Sequence, residues 1–377
     1  FVYPGSEIYG GLAGSWTYGP LGVALSENIK KLWWDMFVNK REDVLSLDSE
    51  IVLNPKVWEA SGHVSGFADP MDDGSQFNVM FKTSVGAGEE AVTSYLRPET
   101  AQGIFINFKN IIDSFHPKLP FGIAQIGKAF RNEIAPRDFI FRRREFEQME
   151  LEYFVKPNEW EKYFSNWHDT IKDFAKALGI TALHELEVEE NDRAHYSKKT
   201  IDFEFDYPFG RKELWGLAYR TDFDLSNHQK NSGVSLEYHD EETGENIIPH
   251  VIEPSLGLDR TILATLLSAY TEDELGGERR VYLKLPQNIA PVPVAVFPLL
   301  KNKPELVAKA REVYAMIKKE IPQTVFDDNG NIGKRYRRQD EIGTPYCVTV
   351  DFDTLEEDSV TVRDRDTTKQ DRVAISE

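Results

Sequence analysis

The chain has 377 residues, 41% hydrophobic and 12% aromatic, enough for two or three separately cored units of a globular enzyme. Its formal charge of −19 weakens any reading as a nonspecific nucleic-acid binder, and the single cysteine, Cys347, excludes an internal disulfide framework or a cysteine-based zinc site. No apolar run reaches the roughly 18–20 residues of a membrane span and no charged-then-apolar leader opens the chain, and the single cysteine fits a reducing cytoplasm.

From Leu21 to Asn39, Leu25, Ile29, Leu32, Trp33, Met36 and Phe37 recur at helical spacing and predict an amphipathic helix. A strand-like stretch follows and ends at Asn54-Pro55. The apolar stripe is either plain core or, because Trp33 and Trp34 cover two faces, partly a surface for a partner. Strands are expected to dominate from Phe77 to Phe154, Pro157–Leu178 reads as a helix, and a second strand region runs from Thr200 to Asp224. Pro286, Pro291, Pro293 and Pro298 mark a boundary. Beyond it, Val294–Phe297, Pro304–Glu320, Val325–Asp327, Val348–Phe352 and Val360–Val362 alternate strand and helix, the pattern of a small α/β unit with a mixed sheet. Cys347 falls in an apolar strand pattern there and is expected as a buried structural thiol.

Charge divides unevenly across that boundary. Residues 291–377 hold 14 Lys+Arg against 16 Asp+Glu, whereas residues 1–290 hold 30 against 47. The acidic excess therefore lies in the first part, while cations cluster locally at Arg142–Arg144 and Lys334–Arg338.

Two segments carry most of the chemistry. Phe130-Arg-Asn-Glu133 and Arg144-Glu-Phe-Glu-Gln-Met-Glu-Leu-Glu152 read as antiparallel strands joined by a loop bearing Arg137, Arg142, Arg143 and Arg144. Alternation predicts Arg131 and Glu133 on one face of the first strand, away from Phe130. It sets Phe146, Gln148, Glu150 and Glu152 against Met149, Leu151 and Tyr153 in the second. The polar face suits a nucleotide: arginine for phosphate, phenylalanine for a flat base, carboxylates for an ammonium group or a metal. A solvated sheet with scattered charges is the plain alternative. The second segment is Glu253-Pro-Ser-Leu-Gly-Leu-Asp-Arg260. Glu253 and Ser255 alternate onto one strand face, and Gly257 lets the backbone turn closely. Arg260 enters the first turn of an apolar helix (Leu258, Ile262, Leu263, Leu266, Leu267), where its charge adds to the positive helix end. Two arginines at opposite ends of a triphosphate suit adenylate formation, in which charge builds at the α-phosphorus and on departing pyrophosphate.

These segments resemble motifs 2 and 3 of the class II aminoacyl-tRNA synthetases, and their wording is similar to the single-chain, homodimeric glycyl-tRNA synthetase family. The likeness runs from Phe1 to Glu377. It includes Phe1–Gly11, Ser61-Gly-His63, Arg97-Pro-Glu-Thr-Ala-Gln-Gly-Ile104, Trp215-Gly-Leu-Ala218 and Gly333–Thr344. The resemblance implies an α+β fold: an antiparallel-sheet catalytic domain at 1–290, then a small α/β anticodon-binding domain at 291–377. The helix and strand up to Pro55 match motif 1, a dimer interface in the family. One departure stands between Met71 and Phe77, where the family carries a sizeable insertion and this chain has only Asp72-Asp-Gly-Ser-Gln76. The start at Phe1, without methionine, favours omitted residues over a protein lacking the insertion.

Carried over residue by residue, Arg131 contacts the α-phosphate and Arg260 the γ-phosphate as the two catalytic residues. The implied ATP set adds Asn132, Glu133, Phe141, Arg142, Arg143, Arg144, Glu145, Phe146, Glu213, Leu214, Gly257, Leu258 and Asp259, with Phe146 stacking on adenine. The implied glycine set is Glu99, Phe146, Glu147, Gln148, Met149, Glu150, Arg220, Glu253, Pro254, Ser255, Leu256 and Gly257. Glu99, Glu150 and Glu253 with Ser255 pair the ammonium group and fill the volume of a side chain. Rejecting larger substrates by clash is then sufficient, and no editing segment is expected. Arg220 is expected near the substrate carboxylate and phosphate, or alternatively in a surface ion pair with Asp222 or Asp224.

ATP as substrate requires Mg²⁺, for which Glu213 and Glu253 are candidate ligands. No histidine cluster suggests zinc, and His63, His195, His228 and His250 are expected in structural roles. The implied reaction joins glycine to tRNA(Gly) through glycyl-adenylate. In the C-terminal unit, Lys334, Arg335, Arg337 and Arg338 with Tyr336 form a candidate tRNA contact. The plain alternative pairs those arginines with Asp340, Glu341 and Asp364. Two other readings remain, another class II synthetase such as a prolyl or threonyl enzyme, or a non-catalytic synthetase-like accessory protein. The three glutamates disfavour the first, and Arg131 with Arg260 disfavours the second.

Overall fold

A computed structural model describes residues 1–71 and 75–376. The shortened stretch at Asp72–Gly74, where the family insertion is expected, lies outside the described residues.

Helix α1 spans Pro20–Trp34 and runs on into a wider turn over Asp35–Asn39. Proline at its first position fits there, because that N–H has no intrahelical partner. Leu25, Ile29, Trp33 and Phe37 of its stripe are fully buried. The strand after it, β1, is only Val44–Ser46, and Pro55 opens a short helix whose cap is the Asn54 side chain, which accepts from the Lys56 N–H at 3.1 Å.

The pattern across Phe77–Phe154 predicts strands, but the structure sets helix α2 at Ala101–Phe115 in its middle. Ile104, Phe105, Phe108 and Ile111 recur at helical spacing and form its buried face. Around it stand β2 (Phe121–Phe130) and β3 (Glu145–Val155), then α3 (Trp160–Ala177), β4 (Leu183–Glu187), β5 (Lys199–Tyr207), β6 (Gly210–Thr221), α4 (Phe223–Ser232), β7 (His250–Gly257) and α5 (Leu258–Ala269).

The main sheet has seven strands in the order β4-β5-β6-β7-β3-β2-β1. Every pair is antiparallel except β1 with β2. Helices α1, α3 and α5 contribute to the core on one face, which includes Trp33, Met149, Leu151, Tyr153, Trp167 and Ile262. On the other face α2 packs Phe105 and Phe108 over Phe121, Phe154 and Val251. Alternation along β3 holds as expected, so Phe146, Gln148 and Glu150 share the α2 face beyond the edge of that cluster.

A hairpin, β8 (Tyr270–Leu275) with β9 (Glu278–Leu283), leads into a second sheet. Its strands are β10 (Val294–Pro298), β11 (Val325–Phe326), β12 (Tyr346–Val350), β13 (Ser359–Asp364) and β14 (Gln370–Ala374), ordered β11-β10-β12-β13-β14. The β10 pairs are parallel and the rest antiparallel, a mixed sheet as expected. Helix α6 (Pro304–Glu320) packs on it through Leu306, Ala310 and Val313. Helix α7 (Ile332–Ile342) carries the basic cluster. Cys347 is buried in β12, and burial pushes its thiol up to about 12. No helix among the described residues is long and apolar enough to cross a membrane.

Candidate active site

A cavity of about 360 Å³ opens on the α2 face of the main sheet. Its arginine-rich end is built from the loop between β2 and β3. Strand β2 stops at Phe130, so Arg131 and Glu133 are not presented by strand alternation. Instead the chain turns, with the Arg131 N–H on Arg144 O at 2.8 Å and the Glu133 N–H on Arg131 O at 2.7 Å. The Arg131 guanidinium lies 5.2 Å from both the Phe67 and the Phe146 ring and donates to Pro98 O at 3.1 Å. Arg142 donates to Glu133 at 2.6 Å. Arg143 meets Asp259 at 2.5 Å and Trp16 O at 2.9 Å, while Arg144 reaches Ala13 O at 2.8 Å. A short N-terminal hairpin, Val2–Pro4 with Trp16–Tyr18, thereby braces the loop. Tyr18 adds a bond to Asp259 at 2.6 Å.

Across the cavity, Arg260 sits in the first turn of α5. Its Nη1 donates to Glu213 O and Oε2, both at 3.0 Å, and its guanidinium stacks 4.4 Å from the Phe141 ring. Asp202, also lining the cavity, has its carboxyl pushed up to about 7 by burial and then by Glu213.

The other end is a buried set of carboxylates. The segment Arg97–Thr100 enters α2 held by Arg97, which donates to Lys128 O at 2.6 Å and Ser49 O at 2.8 Å. Gly127 is required beneath it, because a Cβ there would stand 2.2 Å from the Arg97 guanidinium. This clamp presents Thr100, whose hydroxyl donates to Glu150 and whose N–H donates to Gln148 Oε1 at 3.1 Å. Ser255 donates to the second Glu150 oxygen at 2.8 Å. Glu99 lies 3.3 Å from His63 Nε2 and accepts from Gln102 at 3.0 Å. Burial raises the Glu99 carboxyl, but His63 and Arg220 outweigh it and hold it below the usual range. Burial and Glu99 raise the Glu150 carboxyl. Burial likewise pushes Glu253 up to about 8, despite Arg220 beside it. Glu150, Glu152 and Glu253 form a buried acidic group, and neither Glu152 oxygen has a partner.

Of the residues named from sequence, the cavity wall brings together Glu99, Arg131, Glu133, Phe141, Arg142, Arg143, Phe146, Glu147, Gln148, Glu150, Glu213, Leu214, Glu253, Ser255, Gly257, Asp259 and Arg260. Asn132, Arg144, Glu145, Met149, Arg220, Pro254, Leu256 and Leu258 do not line it. Met149, Leu256 and Leu258 point into the core, and Glu145 pairs with Lys128 at 2.7 Å. Arg220 is 1% exposed and bound to Asp224 and Glu253. It is a buried ion-pair centre, neither a surface pair nor an open carboxylate receptor. Sequence reasoning missed the segment around Asp192, Arg193, Ala194 and Tyr196, which borders the same cavity. Its residues form no motif with a readable period.

In α7 the basic cluster divides. Arg335 is 1% exposed and donates to the carbonyls of Pro298, Asp328 and Gly330, so it has no surface to offer RNA. Tyr336 packs against Phe297 and bonds Thr349 at 2.6 Å. Arg338 pairs with Asp327 at 2.6 Å, Arg337 reaches Glu278 at 3.3 Å, and Lys334 is exposed. None pairs with Asp340, which is held by Arg280 and Arg363.

Residues 81–269 match the tRNA synthetase class II core domain (G, H, P, S and T), and residues 293–377 match an anticodon binding domain. A solved Giardia lamblia prolyl-tRNA synthetase in complex with prolyl-adenylate superposes with a TM-score of 0.74 at 18% identity, covering 97% of this chain and 71% of that one. Fold and site thus define a class II aminoacyl-tRNA synthetase. The glycine–tRNA ligase of Clostridium beijerinckii is 47% identical over 441 residues, covering all of this chain and 94% of the relative. Those of Caldanaerobacter subterraneus and Lachnospira eligens are 45% and 48% identical with the same coverage. The chain belongs to the glycine–tRNA ligase family, whose members are ATP-dependent aminoacyl-tRNA ligases.

Proposed function

We propose that this cavity forms glycyl-adenylate and passes the glycyl group to tRNA(Gly). The observation that carries the reading is the pairing of two opposed arginines, Arg131 and Arg260, with a buried carboxylate end at Glu150 and Glu253. The glycine ammonium sits among Glu150, Glu253 and Ser255, and ATP lies between Arg131 and Arg260 with adenine near Phe146. A glycine carboxylate oxygen attacks the α-phosphorus, and the bond to the β-phosphate breaks to release pyrophosphate. No general base is needed, because the attacking carboxylate is already ionised. Arg131 offsets charge growing on the α-phosphoryl oxygens, and Arg260 orients the γ-phosphate. A terminal ribose hydroxyl of tRNA then attacks the glycyl carbonyl and AMP leaves.

Magnesium would be held by Glu213, which Arg260 also pairs, with Asp202 beside it, carboxylates that suit a hydrated, oxygen-preferring ion. When bound it neutralises polyphosphate charge. Residues 1–290 serve as the adenylation domain and 291–377 as the anticodon-binding domain. There Lys334 and Arg337 are the cations best disposed toward RNA, because Arg335 is spent internally. The working unit is a homodimer through the α1 region, in the cytoplasm. Incubation with labelled glycine, ATP and tRNA(Gly) tests the reading: base-labile labelled tRNA is expected, and its absence in a folded, ATP-binding protein contradicts it.

A further inference from the structure

One wall of the carboxylate end belongs to no sequence motif. Between β4 and β5 the chain passes over the cavity, held by Arg193, which donates to Val188 O at 2.8 Å, and by Ser197, which bonds Thr200 at 2.8 Å. From this segment Tyr196 lays its ring 3.7 Å from the Arg220 guanidinium carbon. Phe105 of α2 meets the same guanidinium at 5.2 Å. Ring contacts with His195 and Phe223, at 5.3 and 6.4 Å, fix the Tyr196 side chain in turn.

Three of the five in-plane N–H groups of Arg220 are committed, one on Nη1 to Glu253 at 2.7 Å, and one each on Nε and Nη2 to Asp224 at 2.8 and 2.9 Å. Its flat face is weakly hydrated and suited to an aromatic ring. Tyr196 covers that face and also borders the cavity. Removing the ring would admit water to the Arg220–Glu253 pair, weaken it by raising the local dielectric, and leave a void beside Glu253.

We propose that Tyr196 is a specificity-determining residue, whose ring locks Arg220 and Glu253 in place and fills the volume that a substituent on the substrate Cα would need. The proposal rests on the assignment of Glu150, Glu253 and Ser255 to the ammonium group. It adds that discrimination against alanine and serine comes from an aromatic wall as well as from the carboxylates.

The test is ATP–pyrophosphate exchange with glycine, alanine and serine in Tyr196→Ala and Tyr196→Phe. Tyr196→Ala is expected to raise the glycine KM and to shrink the glycine-over-alanine preference in kcat/KM by about tenfold or more, the scale of one methyl group in a pocket. The ATP KM should hold, and Tyr196→Phe, which keeps the ring, should keep most of the glycine-over-alanine preference. Should Tyr196→Ala fail to fold, Tyr196→Leu removes the flat ring from the guanidinium while keeping bulk, and a raised glycine KM with a smaller loss of preference is expected. A folded Ala or Leu variant with unchanged glycine KM and unchanged preference would overturn the proposal. So would a Phe variant that loses preference as fully as Ala. Glu150→Gln, run alongside, separates the two layers. A large rise in its glycine KM supports the ammonium assignment, and an unchanged value brings down that assignment and the Tyr196 proposal with it.

Discussion

Arg220 and Glu253 meet at 2.7 Å with both residues buried, and through this bond β6 is tied to β7 at the carboxylate end of the cavity. Asp224 of α4 completes the set. The pair is a structural device, because it holds a buried carboxylate that stands close to Glu150 and Glu152.

Replacing Arg220 by alanine strips the buried carboxylates of their main counter-charge. Truncating one side of a buried pair costs about 3–5 kcal/mol, since the other charge is left unpaired. Urea unfolding should show a loss of that size. A change below about 1 kcal/mol would mean that the pair is solvated in solution.

Stability should also respond to pH through Glu253. Burial raises the carboxyls of Glu253 and of Glu152 beside it, so in this acidic group the folded chain keeps a proton that the unfolded chain has already released. The folded state then binds more protons between the ordinary carboxylate range and pH 8, so stability falls as pH rises through that window and levels off above it. Urea midpoints measured from pH 5 to 9 should fall accordingly, and Glu253→Gln should flatten the slope. A parent protein whose stability rises across the window would contradict the assignment.

Arg131→Ala and Arg260→Ala should each cut the exchange rate about 10²–10³-fold, the scale seen when one preorganised transition-state contact is removed. Both residues make few structural bonds, so thermal unfolding should stay near the parent's. Near-normal exchange in either variant would remove its phosphate role.

The basic helix α7 separates by position. Arg335→Ala leaves buried carbonyls of Pro298, Asp328 and Gly330 without their donor and should destabilise the protein by about 1–3 kcal/mol. The double variant Lys334→Ala, Arg337→Ala should instead raise the KM for tRNA and lower its salt dependence, with glycine exchange unaltered. Equal loss in both assays would make these residues structural too.

Much of this site was readable because its chemistry sits on regular elements. Alternation in β3 set Gln148 and Glu150 against Met149 and Leu151, and the helical stripe after Gly257 placed Arg260 in a first turn. The failures have physical causes. A period of two cannot tell where a strand ends, so Arg131 and Glu133 were assigned to a strand that stops at Phe130, where bonding to Arg144 turns the chain. Helix α2 was hidden by the strand-like run of apolar residues around it, although the spacing of Ile104, Phe105, Phe108 and Ile111 carried the signal. Arg335 lies on the inward side of a basic helix, and only the tertiary position of the 328–330 carbonyls reveals that it is buried. Tyr196 stands in a polar segment without periodicity, and its partner Arg220 is distant in the sheet.

The most direct test of the central claim is ATP–pyrophosphate exchange measured with each of the twenty amino acids on the full chain. Glycine should support strong exchange, with alanine and serine far behind and proline and threonine at background. Exchange with proline or threonine comparable to that with glycine would contradict the carboxylate pocket and the function built on it.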